Sequence, residues 1–96
     1  MTMDVDATPG VLQLQFDSRF TVADATRLRD SVLALAPIAR LTLDFTRVRE
    51  LQDAAIAMLA ATLSLLRGSS VVLRGLTAHH WRLLRYFGIE QSAFAA

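Results

Sequence analysis

The chain of 96 residues contains no cysteine, which excludes a disulfide framework, thiolate nucleophiles and cysteine-ligated metals. Lysine is absent as well: every one of its 10 basic residues is arginine. The arginines are scattered and the net charge is only +1, so the whole-chain field gives little attraction to nucleic acid or anionic lipid. Histidine occurs twice, as the neighbours His79 and His80. On a helix adjacent side chains diverge by about 100° and cannot chelate one ion together, so neither a metal nor any other cofactor is expected. No nucleophile and orienting acid accompany either histidine, and no catalytic constellation is legible. The expectation is a protein that is not an enzyme.

A long apolar run is also missing. The longest, Ala54 to Leu66, falls short of the roughly 20 residues that cross a bilayer and carries Thr62 and Ser64. No signal-peptide pattern opens the chain. The expected location is the cytoplasm, with no direct membrane insertion. The glycines at 10, 68, 75 and 88 belong to no phosphate-cradling pattern.

What the chain has in quantity is apolar side chains, 53% of the total, enough for the core of one small domain spanning residues 1–96. Thr8-Pro9-Gly10 is a turn signal between a Met3–Asp6 segment and the run Val11 to Phe16, and the two segments can pair as a hairpin. Leu12, Leu14 and Phe16 alternate with Gln13 and Gln15, as in a half-buried strand. Thr21 is a candidate N-cap for a helix over 22–35, with Ala25, Leu28, Val32 and Leu35 facing inward and Pro37 closing it. Arg40 to Thr46 alternates again. A helix over 53–67 follows, capped by Asp53 and ended by Gly68 as its C′ residue. Ser70 to Leu73 reads as a strand with neighbours on both sides. Thr77 caps a last helix over 78–87, stopped by Gly88. This order makes an α/β domain with a mixed β-sheet and helices packed mainly on one face. The other face, with Gln13, Gln15, Thr42 and Asp44, is expected to be partly open.

The 53–67 helix is apolar all round. Ile56, Leu59, Ala60, Leu63 and Leu66 form one stripe, sufficient for the core; Ala54, Met58, Ala61 and Leu65 form another. A surface helix should carry charge there, so the second stripe points to an interface. Arg47 and Arg49, in the loop before this helix, would form its polar rim. The alternative is that a terminal segment folds over the stripe. Farther on, Trp81, Arg82, Arg85 and Tyr86 mix base and aromatic. No nucleic-acid motif accompanies them, and such residues also serve protein contacts; nucleic acid is not an expected partner.

The segment from Leu41 to Leu59, a strand ending in Leu43-Asp44-Phe45, a polar loop and a helix opened by Asp53, resembles the signature of the STAS family, the sulfate transporter and anti-sigma factor antagonist domains. The resemblance runs from Val11 to about Ile89 and includes Val71 to Leu76 and Leu83 to Gly88. It implies a STAS-like fold and a bacterial regulatory or scaffolding module that switches partners. In the family a serine or threonine follows the helix-opening aspartate and accepts phosphate, with the aspartate helping to arrange the site. Here Ala54 stands at that position, so phosphorylation there is impossible, and Ile56 stands where the family often has glycine.

Three functions follow from the resemblance and the residues together. The first is an interaction module of anti-sigma factor antagonist type, binding an anti-sigma factor or kinase-like partner, or a second copy of itself, through Arg47, Arg49, Asp53, Ala54, Met58, Ala61 and Leu65. The second is the small STAS subunit of a phospholipid-transport ABC assembly, seated on its ATPase; the short stretch after Gly88-Ile89 is similar to that of such subunits. The third is a domain that binds a nucleotide or a lipid ligand.

Overall fold

The computed structural model describes residues 2–5, as backbone only, and residues 10–94. Asp6 and the Thr8-Pro9 part of the expected turn lie outside the described residues. The elements run β1 (Thr2–Val5), β2 (Val11–Gln15), β3 (Arg19–Phe20), α1 (Val22–Leu35), β4 (Arg40–Asp44), β5 (Glu50–Leu51), α2 (Asp53–Ser64), β6 (Ser70–Arg74), α3 (Ala78–Tyr86) and α4 (Gln91–Phe94).

The four-stranded sheet has the order β1-β2-β4-β6. β1 is antiparallel to β2, and β2, β4 and β6 are parallel neighbours. The sheet is thus mixed and the fold is α/β, as the sequence predicts. The alternation reads directly into burial: Leu12 and Leu14, Leu41 and Leu43, and Val71 and Leu73 all point into one core beneath the helices. The opposite face keeps Gln13 and Arg74 exposed and Thr42 and Asp44 half-buried.

α1 begins and ends where expected. Thr21 and Asp24 make a reciprocal capping box, the Thr21 hydroxyl accepting from the Asp24 N–H at 3.3 Å and the Asp24 carboxylate accepting from the Thr21 N–H at 3.0 Å. Ala36 is extended, as a residue before proline should be. α3 closes in a Schellman motif: the Gly88 N–H donates to the Arg85 carbonyl at 3.0 Å and the Ile89 N–H to the Leu84 carbonyl at 3.1 Å. Gly88 has φ +83, and Leu84 and Ile89 are both buried, the apolar contact that accompanies this motif.

Several expectations need correction. α2 ends at Ser64, and the Leu65 and Leu66 N–H groups tighten onto Thr62 and Leu63 three residues back. Gly68 is outside the helix and is not at positive φ, so it is not the C′ residue. β6 is the last strand in the sheet order, pairing with β4 alone among the described strands; its unbroken apolar run reflects packing against α4 and the core, not two strand neighbours. Leu35, expected inward, is exposed because α1 runs past the edge of the core at its last turn. The two-residue strands β3 and β5, and the short α4, have too few residues to show a period.

No helix among the described residues is long and apolar enough to cross a membrane.

Candidate functional site

The start of α2 is held by the segment that precedes α1. β3 and β5 pair in parallel, Arg19 opposite Glu50 and Phe20 opposite Leu51. Ser18 accepts from the Arg49 and Glu50 N–H groups at 2.8 and 3.1 Å, and Phe20 from the Gln52 N–H at 3.2 Å. Arg19 and Glu50 add an exposed ion pair at 3.1 Å. Beneath this clasp, Phe16, Phe20 and Phe45 form a buried aromatic trio with centroids 4.8 to 5.2 Å apart. The aromatic floor and the clasp fix where the helix emerges.

Asp53, expected as the N-cap, is instead the first helical residue. Gln52 holds the cap position, and its side chain makes no cap bond to α2. Its Oε1 accepts from the Val22 N–H at 3.1 Å, so Gln52 satisfies the start of the other helix and ties the two N-termini together. Asp53 remains exposed in the first turn, where its charge suits the helix dipole.

The β4 end is equally constrained. The Asp44 carboxylate accepts from the Thr46 N–H at 2.9 Å and the Thr46 hydroxyl at 2.6 Å, forming an Asx-type turn. These bonds, the hydroxyl first, hold the Asp44 carboxyl below the usual carboxylate range. Gly75, at φ +83, lies directly against this turn: a Cβ there would stand 2.5 Å from the Thr46 nitrogen. The close backbone approach admits only glycine.

The two α2 stripes separate as predicted in large part. Ile56, Leu59, Ala60, Leu63 and Leu66 are buried. Ala54, Ala61 and Leu65 are exposed, Leu65 at 63%. Met58 is the exception: it is half-buried against the core. α2 packs against α1 on one side and α3 on the other, and its buried arc extends to Ala55 and Thr62. What solvent meets is a narrow uncharged strip, with exposed Arg47 and Arg49 in the loop that leads to it.

The basic and aromatic run noted in the sequence adjoins this strip, together with Phe87, which the sequence did not single out. The last turn of α3 sets Tyr86 and Phe87 out into solvent, 80% and 51% exposed. With Asp53, Ile56 and Leu83 they line an open depression of about 300 Å³. Arg82, Arg85 and Tyr86 line a second, of about 380 Å³, so Tyr86 borders both an apolar hollow and a basic one. The run of Arg82, Arg85 and Tyr86 is legible in the sequence; the exposure of Phe87 and the proximity of α3 to Asp53 are not.

His80 serves the α3 cap. Its backbone N–H donates to the Thr77 hydroxyl at 3.2 Å, and its Nδ1 accepts from the Thr77 N–H at 3.3 Å. Burial, then the neighbouring His79, push its pKa below the ordinary histidine value. His79 is exposed. Among the described residues no group of His, Cys, Asp and Glu could hold a metal ion.

Residues 3–94 match the family model described as "Mlab, STAS domain". No curated protein matches the chain.

Proposed function

The chain belongs to the STAS domain family, and from that premise we propose that it is a non-enzymatic protein-interaction module of the anti-sigma factor antagonist type, whose protein partner docks on the outer strip of α2. The observation that carries this reading is the strip itself: Ala54, Ala61 and Leu65 face solvent without one charged neighbour on the helix beyond Asp53. Alanines let another backbone approach closely, and half-buried Met58 can shift to meet it. Arg47 and Arg49 supply the polar rim. With Ala54 in place of a hydroxyl residue, docking here is not switched by phosphate at that position, and partner availability or abundance sets occupancy.

The same alanine favours a second reading, a STAS subunit seated on the ATPase of a phospholipid-transport ABC assembly. A permanent structural contact needs no hydroxyl to release it.

Ala61→Asp tests both readings. Ala61 is exposed, so the carboxylate is harmless in water but costly when desolvated at an interface. Tagged wild-type protein, Ala61→Asp and the open-face control Gln13→Glu are used as bait in the native cell extract, and captured partners are titrated by calorimetry. The expected result is a partner kept by wild type and control and lost by Ala61→Asp, which still melts cooperatively with a loss of about 1 kcal/mol at most. An Ala61→Asp protein that folds and captures the same partner overturns the docking site. The captured protein's sequence then separates a kinase-like regulator from an ATPase.

A further inference from the structure

We propose that the two depressions lined by Tyr86, one between the start of α2 and the end of α3 and one on α3 itself, receive an acidic amphipathic segment of the protein partner, its apolar side chain over Ile56, Leu83 and Phe87 and its carboxylates on Arg82 and Arg85. The proposal rests on the partner-docking reading above and adds the chemistry of what docks.

The charge pattern carries it. α3 reads Ala-His-His-Trp-Arg-Leu-Leu-Arg-Tyr, with no acid anywhere. The ion pairs among the described residues are Arg19–Glu50, Arg27–Asp24 and Arg29–Asp30; Arg82 and Arg85 are exposed and join none of them. Glu90 shares another depression with Arg85 but makes no ion pair with it. Two arginines one helical turn apart, beside an 80% exposed tyrosine, present guanidinium forks that match carboxylates in geometry and charge. Tyr and Arg beside an apolar floor are also among the residue types that dominate binding energy at protein interfaces.

The apolar half determines what kind of acidic ligand fits. Ile56 is buried as the floor, Leu83 is half-buried and Phe87 is half-exposed, so an aliphatic side chain entering there covers Phe87 without displacing the core. Asp53 stands at the rim of this half. It repels any anion, so the partner's acids are confined to the arginine end and a polymer charged along its whole length is disfavoured. A nucleic acid strand would find phosphate contacts at one end and a carboxylate at the other, on a chain of net charge +1. A peptide helix with acids beside a leucine stripe satisfies both ends.

The probes are two fluorescein-labelled amphipathic peptides with the same leucine stripe, one bearing glutamate and one lysine at its polar positions, together with a single-stranded oligothymidylate. Binding to the full chain is followed by fluorescence anisotropy. The glutamate peptide is expected to bind and the lysine peptide to bind at least about tenfold more weakly, with the preference reduced at high salt. Arg82→Glu/Arg85→Glu should exchange that preference, a result that mere unfolding cannot produce. Phe87→Ala should weaken both peptides. Equal binding of the two peptides, no binding of either, or an unchanged preference in the charge-reversed variant overturns the proposal, and so does oligothymidylate binding in place of the glutamate peptide. If Ala61→Asp loses the native partner while the peptides fail to discriminate, the docking reading stands and this one falls. If the peptides discriminate while Ala61→Asp still captures the partner, the reverse holds.

Discussion

Helix α1 buries Ala25, Leu28 and Val32 and turns Arg27, Arg29 and Asp30 to solvent, whereas its neighbour α2 buries Ile56, Leu59 and Leu63 and turns out Ala54, Ala61 and Leu65. Both pack on the same side of the same sheet and on each other. Water and core together account for most of α1: its inside is apolar, its outer face carries Arg27, Arg29 and Asp30 although Val22, Leu33 and Leu35 are exposed as well, and its N-terminus is closed by its own capping box. They account for only part of α2. Two flanking helices explain why its buried arc is so wide, but nothing in the described fold requires the remaining strip to be uncharged. α2 also lacks a side-chain cap and depends on the β3–β5 clasp for its placement. The contrast is one of charge and of closure: α1 carries charges on its outer face and caps itself, whereas α2 exposes no charge beyond Asp53 and is placed by the clasp.

The largest expected effect tests the part the helices share, their core. Leu63→Ala removes a fully buried side chain and should cost about 2–5 kcal/mol in chemical denaturation; a loss below about half a kcal/mol would break the assignment of that face. Gly75→Ala attacks the support of the α2 entry loop. A non-glycine residue at positive φ costs roughly 1–3 kcal/mol, and the Cβ must also displace the Thr46 backbone. If the melting temperature is unmoved, the loop is not pinned as described.

Capping separates the two helices more finely. Thr21→Ala should destabilise by about 1 kcal/mol, because α1 loses its box. Asp53→Asn should change stability by only a few tenths of a kcal/mol, since Asp53 makes no cap bond and contributes through the dipole alone. Equal losses would erase the distinction. Ala61→Asp puts a poorer helix former and a negative charge in the last turn of α2 and should cost about 1 kcal/mol, while abolishing partner capture.

The smallest effect is a pH dependence from α3. Because the folded-state pKa of His80 lies below its ordinary value, the unfolded chain binds the proton more readily. The stabilisation is fully present above the unfolded pKa of about 6.5 and is lost as pH falls through the folded value. Protonation also takes the Nδ1 lone pair that accepts from Thr77. Melting should therefore fall modestly between neutral and mildly acidic pH in wild type, and His80→Gln should remove that slope. Asp44 acts at lower pH with the same sign: its depressed pKa stabilises the fold above the ordinary carboxylate pKa, and that is lost on further acidification.

Much of this architecture is legible in the sequence. Alternation in Leu12-Gln13-Leu14 and Leu41-Thr42-Leu43 set strands and faces, because side chains of a strand point to opposite sides. Thr21 and Thr77 marked helix starts, and Gly88 a helix end, because capping is local chemistry. Errors fell where a residue's partner is distant in sequence. Asp53 has the chemistry of a cap, but Gln52 occupies the position and spends its side chain on Val22, 30 residues away. Leu35 and Met58 exchanged expected environments because exposure depends on where the core ends, not on period.

The candidate site divides in the same way. Local composition alone determined that α2 has two apolar stripes, that Ala54 cannot carry phosphate, and that α3 is basic and aromatic. Tertiary structure decided that α1 and α3 flank α2 and leave only a strip exposed. It also decided that Tyr86 and Phe87 meet Asp53 and Ile56 across about 30 residues of chain. Periodicity reports which side chains share a face of one element. Which elements lie side by side is set by sheet order and crossover packing, which no single segment encodes.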